Sequence, residues 1–420
     1  MAKRIPPLAA IAAVVLTDVL GLTLIIPLLP FYAEHYGASA FVVGLLYTCY
    51  SAFQLVSGPL LGKWSDRTGR RPLLILSQLG TVASLLLLAH AWALWVVFAS
   101  RIIDGFTAGN LSLAQAYIAD VTVPEKRARA FGIIGIAFGV GFFLGPAMTG
   151  LLVPANAHSA SQLVVPIYLA AGLSLTSAFL SFTILPSVQP AAAGDRGARK
   201  LSILQWGEYK KYFRVPALRG RLFQMGMFLF AFQLFMGGFA LFAERRFHTA
   251  GGHPYGAKQV GYILMLAGLV GIVQQGGMIG PFVKRFGESK LIRGGFALAA
   301  LGYALLACSH GVAILIVAVV VSSFGAGFIR PVLTSQVTQH AGPTEYGSIL
   351  GLTQSMMAGA QILAPPLATF VIGLYDSRSF GLTDTWLWLW ALTAAALFLC
   401  GFLIPVPRGE PAPLPAQRVA

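Results

Sequence analysis

Charge is scarce in this sequence: only 10% of the 420 residues are Asp, Glu, Lys or Arg, and 14 are acidic, whereas a soluble domain carries about 25% charged residues. A chain so poor in charge cannot cover a water-facing surface. Cysteine is nearly absent as well. Cys49, Cys308 and Cys400 each lie in apolar runs without metal or redox spacing, which excludes a disulfide framework and leaves them as packing residues. No nucleophile–base constellation, metal-spaced His/Cys set or phosphate-binding glycine loop is present, so an enzyme finds no support and no cofactor is expected. Nor is there a soluble effector domain, which argues against a membrane sensor.

Hydrophobic residues fill the space, at 57% of the chain. Their runs are continuous and do not alternate with period two, which predicts helices and not a barrel. At about 20 residues per span there is room for roughly a dozen crossings. The runs place spans near 8–31, 41–62, 72–91, 94–119, 129–153, 163–187, 218–243, 259–283, 289–309, 312–335, 346–374 and 385–405. The first run, Ile5 to Phe31, follows Lys3 and Arg4 as a secretory signal does. It is too long for that role, carries Asp18 in its middle and lacks a clear cleavage site, so it reads as a span.

The net charge of +15 raises nucleic acid binding, but the placement of the charges argues otherwise. With a cytoplasmic N-terminus, the inner segments hold Lys63, Arg67, Arg70, Arg71, Lys126, Arg127, Arg129, Lys210, Lys211, Lys284 and Arg285 among others, and the outer loops only Arg245, Arg246, Lys258 and Arg378. That is the positive-inside pattern, with both termini cytoplasmic, the lipid bilayer as surroundings and no nucleic acid partner.

The longest polar stretch divides the spans six and six. The expected organisation is an N-terminal six-helix bundle over 1–187, a cytoplasmic linker over 188–217 and a C-terminal six-helix bundle over 218–420. Leu201 to Phe213 mixes apolar residues with Lys210 and Lys211, which leaves open a helix on the membrane surface or a solvated loop. A nearly constant offset of 218 to 220 positions relates the halves. Gly62 after span two finds Gly280 after span eight, 218 positions on; the turn from Val123 to Gly132 aligns with Gly342 to Gly351, and Gly145-Pro146 with Pro365-Pro366. A duplicated six-helix unit follows, an arrangement in which a solute site sits between halves that rock about it.

The strongest local signal is the turn Gly62-Lys63-Trp64-Ser65-Asp66-Arg67-Thr68-Gly69-Arg70-Arg71-Pro72. Its glycines permit a tight turn, Asp66 can face a helix N-terminus and Arg70 can reach a second carboxylate; plain anchoring by basic residues is the simpler reading. The turn resembles the signature loop of the major facilitator superfamily. Span five carries Gly141, Gly145-Pro146 and Gly150, small residues that allow close helix packing, and this resembles the antiporter motif of the drug:proton branch. Span one, Leu16-Thr17-Asp18-Val19 through Pro27 and Pro30, and span four, Arg101-x2-Asp104-Gly105 to Ala119-Asp120, are similar to tetracycline exporters. The resemblance is dense over 8–153 and diffuse beyond.

It implies an all-α integral membrane fold of twelve transmembrane helices in two pseudo-symmetric bundles, and a proton-coupled antiporter of the inner membrane, acting as a monomer, that exports a small amphipathic organic molecule. In it Gly62, Asp66, Arg67, Gly69, Arg70 and Arg71 form the gating loop, with Asp120 as the partner of Arg70 and the start of span eleven facing Asp66. Asp18 falls near the bilayer midplane, where an ionised carboxylate is costly. Reversible protonation is therefore expected there, the alternative being a structural acid bonded to a neighbouring helix. Arg101 and Asp104 share a helical face and join Asp18 as coupling residues, although many relatives have an uncharged residue at the position of Asp104. Tyr47, Tyr50, Gln54, Asn110, Gln115, Gln233, Gln275, Arg330 and Gln354 are cavity candidates; any one of them can equally be a packing hydrogen bond or, for Arg330, an interfacial cation. Uptake or symport of a metabolite, or lipid movement on the same scaffold, stays open.

Overall fold

The structure is a computed structural model and describes residues 6–123, 127–154, 157, 159–187, 206–339, 346–377 and 383–405. Its elements are helices: α1 (Pro7–Ile25), α2 (Leu29–His35), α3 (Ala40–Thr68), α4 (Arg70–Ala89), α5 (Leu94–Thr107), α6 (Asn110–Val121), α7 (Arg127–Leu152), α8 (Ala160–Thr183), α9 (Trp206–Arg214), α10 (Pro216–Arg246), α11 (Ala257–Val273), α12 (Ile279–Phe286), α13 (Glu288–Ala307), α14 (Val312–Gln339), α15 (Tyr346–Asp376) and α16 (Thr383–Leu403), with a π-helical turn at Gln274–Met278 between α11 and α12. Eleven helical stretches among the described residues are long and apolar enough to cross a bilayer. Apolar side chains as large as Phe179, Phe182, Leu151 and Ile136 stand more than half exposed. Water would penalise them; hydrocarbon does not. Trp92 and Trp95, both largely exposed and in edge-to-face contact, mark a membrane–water interface.

The fourth span is the one missing from that set. A continuous helix over 94–119 is expected from hydropathy, but the chain breaks between α5 and α6 at Ala108 and Gly109. Neither residue is a proline. The break is held by Ser77 of α4, whose hydroxyl donates to the Thr107 carbonyl and accepts the Gly109 N–H at 3.1 Å. A side chain at Gly109 would also run into Leu61, whose Cδ1 lies 2.5 Å from the Cβ position. The Gly109 N–H also donates to the Thr107 carbonyl at 2.7 Å, and the serine adds a second partner to each of these groups where no water is at hand. The first span is likewise interrupted, at residues 26–28, where Pro27 and Pro30 restrict the backbone, and α2 continues beyond it.

Contacts sort the described residues into two units, one within Met1–Ile203 and Ala240–Ile272, the other within Leu204–Phe239 and Val273–Ala420. In the first, α1 packs between α7 and α8, α4 lies against α8 and α5, and α3 against α5. In the second, α13 packs on α14 and α16, with glycines at the crossing: Cβ atoms on Gly302 and Gly325 would fall 2.4 Å from the backbone nitrogens of Ser322 and Ala299. Such close approach is how helices associate where lipid competes for every apolar contact. The linker sequence contributes α9, whose Tyr212 is fully buried against Leu218, Leu222, Val337 and Ile349, so this segment docks on the second unit by its aromatic side.

Candidate functional site

The signature turn takes its shape from Gly69, at φ 96°, which ends α3 and begins α4. Gly287, at φ 75°, does the same between α12 and α13, 218 residues on. Only glycine adopts this conformation at little cost, so the two turns share backbone geometry as well as spacing. Arg70 then becomes the centre of a buried ionic knot. Its Nη2 lies 2.6 Å from Asp66, its Nε 2.9 Å from Asp120 at the end of α6, and its Nη1 donates to Ser65 Oγ at 2.5 Å. Arg70 is 6% exposed and Asp120 8%. Removing either partner would strand a charge in a poorly solvated place.

Three other loop residues have different surroundings. Arg67 is exposed, Gly62 offers its carbonyl to Arg70 at 3.4 Å, and Arg71 turns away to the end of α8, where its Nε donates to Ser181 O at 3.1 Å. Residues 340–345, which lead into the eleventh span, lie outside the described set, as do 124–126 of the other matched turn. In the second unit Glu288 occupies the place aligned with Arg70, and Ser335 donates to it at 3.1 Å. The polarity of the turn is inverted there.

Asp18 lies where α1 meets α4 and α8. Gln78 Nε2 donates to its Oδ2 at 3.2 Å and to Ser177 Oγ at 2.8 Å, while Ser177 donates to Val14 O at 3.1 Å. Asp18 Oδ1 and Gln78 Oε1 are buried with no hydrogen-bond partner. Buried oxygens without a partner are expensive, and a proton on the carboxyl would convert an acceptor into a donor.

A second cluster forms on α3 and α5. Arg101 Nη1 is 3.2 Å from Asp104 Oδ2, both residues being buried, and Thr81 and Ser84 of α4 face Asp104. Arg101 Nε and Nη2 are buried without partners. Tyr47 and Tyr50 lie in the field of Arg101, and Gln54 Nε2 donates to Tyr50 Oη at 3.2 Å. Gly105 lets the helices meet, since a Cβ there would stand 2.4 Å from the Tyr50 carbonyl. Tyr47, Tyr50, Gln54, Arg101 and Asp104 are thus assembled together. Asn110 begins α6 with its Oδ1 buried and unpaired; Gln115 is half-buried further along.

The glycines of α7 serve two neighbours. Gly141 and Gly145 face α1: Thr23 Oγ1 donates to Gly141 O at 2.8 Å and Thr149 Oγ1 to Leu24 O at 2.7 Å. Pro146 and Gly150 face α11, where a Cβ on Gly261 would be 2.6 Å from the Pro146 carbonyl.

The candidates of the second half are not gathered in the same way. Gln233 is buried, with its Nε2 3.6 Å from Met357 Sδ, whereas Gln275, Arg330 and Gln354 are exposed. Gln224, another amide within a span, is a packing link. It accepts from Arg221 at 3.1 Å and donates to Gly401 O at 3.0 Å. The supporting residues Ser77, Gln78, Ser177 and Arg221 are missed by sequence reasoning. Small hydroxyls and lone amides in apolar runs are too common to single out, and only Arg221, a cation in a span, carries a signal. At the other end, Arg245, which the sequence gives only as an outer-loop cation, bonds Glu34 at 2.6 Å and Glu244 at 2.7 Å.

A family model described as Major Facilitator Superfamily matches residues 11–279 and 276–419. The chain is 30% identical over 403 residues to the tetracycline resistance protein, class C, of Escherichia coli, covering 94% of this chain and 95% of that protein. It is also 30% identical over 368 residues to solute carrier family 67 member A1 of Homo sapiens, covering 84% and 82%. Among solved structures, the human organic anion transporter MFSD10 (TETRAN) superimposes with a TM-score of 0.66 at 24% identity, covering 95% of this chain and 98% of that one.

Proposed function

Because the chain belongs to the major facilitator superfamily, among its tetracycline-efflux-like members, and is a multi-pass transporter and not an enzyme, we propose that it exports a small amphipathic organic compound in exchange for protons by alternating access. The observation that carries this reading is Asp18, a membrane-embedded acid with one oxygen on the Gln78 amide and the other unpaired. Intramembrane acids are costly, and where they occur they mark ion and proton paths. A proton arriving at Asp18 removes its charge and supplies a donor; leaving, it restores the bond from Gln78. The Arg101–Asp104 pair is the second coupling element. The Arg70 knot with Asp66 and Asp120 biases the two access states by breaking and re-forming.

In this proposal 1–187 and 218–420 act as the two rocking bundles, joined by 188–217. Tyr47, Tyr50, Gln54, Asn110 and Gln115 contact cargo from the first, and Gln233, Gln275, Arg330 and Gln354 from the second. The protein works as a monomer in the inner membrane with both termini cytoplasmic, and needs only a proton gradient. Tetracycline heads the cargo panel, since the relatives are named as tetracycline resistance proteins. The test is proton release when tetracycline and a broader panel are added to detergent-solubilised protein. Release from wild type and none from Asp18→Asn is expected; silence from wild type, or unchanged release from Asp18→Asn, would overturn the reading. Vesicles under an imposed pH gradient separate export from uptake or symport.

A further inference from the structure

On the lipid-facing side of the first unit, the outer faces of the packed helices α4 and α8 form an open apolar groove of about 540 Å³ lined chiefly by Ile75, Leu79, Leu175, Phe179 and Phe182. That volume lies within the roughly 300–1,000 Å³ of small-ligand sites. One end is cationic. The Arg71 guanidinium sits over the Phe182 ring, 5.6 Å from its centroid. Its Nε donates to Ser181 O at 3.1 Å and its Nη2 to Phe182 O. These carbonyls belong to the last turn of α8, where a cation is favoured. They fix the guanidinium, and Nη1 makes no hydrogen bond among the described residues. Although it sits in the signature turn, Arg71 takes no part in the Arg70 ionic knot.

An apolar trough running up two helices, closed at the membrane boundary by an oriented arginine with an uncommitted edge, has the chemistry of an acyl chain joined to an anion. We propose that the α4–α8 groove is a binding site for an anionic phospholipid, one acyl chain lying along Leu79, Leu175 and Phe179 and the phosphate on Arg71 Nη1. The back wall of the groove matters to the rest of the molecule. Gln78 and Ser177 do not line it, but they lie on the same turns of α4 and α8 as its lining residues, so the lipid would rest against the outer faces of the two helices that hold Asp18.

The experiment uses the full chain, purified in detergent, stripped of lipid and titrated with dioleoyl phosphatidylglycerol while bound lipids are counted by native mass spectrometry. Wild type should hold one high-affinity phosphatidylglycerol. Arg71→Gln should weaken it about fivefold, equivalent to about 1 kcal/mol for one basic residue at a lipid surface. Arg71→Lys should retain most of the affinity. Leu175→Trp, which fills the groove without touching Arg71, should weaken binding at least as much as Arg71→Gln. Unchanged affinity in both variants overturns the proposal. So does a loss on Arg71→Gln alone, which leaves a surface charge without a chain site. Equal binding of dioleoyl phosphatidylcholine removes the anionic element, and thermal protection by inorganic phosphate equal to that by phosphatidylglycerol identifies a free anion site instead.

Discussion

Gly145→Ala tests whether the glycines of α7 are there for close approach. A Cβ at this position would stand 2.2 Å from Thr23 Oγ1, 2.9 Å from Leu24 N and 2.9 Å from Thr23 C. The hydroxyl cannot easily swing away. Thr23 is β-branched and stiff in a helix, and its Oγ1 is held by the carbonyls of Val19 and Gly141, each at 2.8 Å. The other two atoms are backbone, so α1 itself must retreat. Overpacking of this kind costs roughly 1–3 kcal/mol, and loss of the Thr23 bond adds about 1 kcal/mol. The helix propensity of alanine returns about 1 kcal/mol. The net expectation is a loss of about 1–3 kcal/mol, read as a lower unfolding midpoint in mixed detergent micelles. Gly172→Ala is the control, since nothing lies within 4 Å of its Cβ position; it should be neutral or stabilising by up to about 1 kcal/mol. Adding Thr23→Ala to Gly145→Ala should rescue only in part, because the clash with Leu24 N remains. Equal midpoints for Gly145→Ala and Gly172→Ala would refute the packing argument.

Ser77→Ala removes both partners that the broken fourth span borrows. Hydrogen exchange at the Gly109 amide should accelerate, with a stability loss of about 1–2 kcal/mol. Asp120→Asn leaves Arg70 with Asp66, whose side chain is 57% exposed. The loss should approach the roughly 3–5 kcal/mol of a broken buried pair in thermal unfolding, and adding Arg70→Lys should not restore it, because a lysine cannot reach Asp66, Ser65 and Asp120 at once. For Glu34 and Arg245, 19% and 14% exposed, a double-mutant cycle with Gln at each should give a coupling energy above the roughly 0.2–1 kcal/mol of exposed pairs.

Much of the helix framework can be read from hydropathy alone, because a continuous apolar run has few other uses. Its interruptions cannot. The break at Ala108 and Gly109 is bridged by a serine thirty positions upstream, and the π-helical turn at Gln274 to Met278 begins at a residue whose Nε2 bonds Phe324 O at 2.6 Å. These are tertiary contacts that the local sequence does not announce. The pattern at the site is similar. Arg70 and Asp120 stand out in the sequence because charges in such a chain are rare, and the structure brings them together. The polar groups around Asp18 are an amide and a hydroxyl, and nothing in an apolar run distinguishes Gln78 from Gln224, one beside the acid and the other a packing link. Two of the positive-φ glycines, 69 and 287, show the opposite case: a backbone requirement at fixed spacing that survives although Glu288 stands where the first turn has Arg70.

The neighbours of α1 divide by the kind of bond they make. Towards α7 the bonds run from the Thr23 and Thr149 hydroxyls to backbone carbonyls across glycine contacts, and none involves a group that changes charge. Towards α4 and α8 they run through Asp18, Gln78 and Ser177. If Asp18 exchanges a proton, as proposed, the change falls on the second face alone, while the first keeps α1 and α7 in register. A helix fixed on one side and charge-sensitive on the other can transmit protonation as motion relative to α4. From there the path is short: α4 begins at Gly69 and Arg70, so anything that moves this helix along its axis acts directly on the ionic knot with Asp66 and Asp120. The acid and the gate then need no separate relay, because a single helix, Arg70 to Ala89, carries Gln78 at its middle and Arg70 at its start.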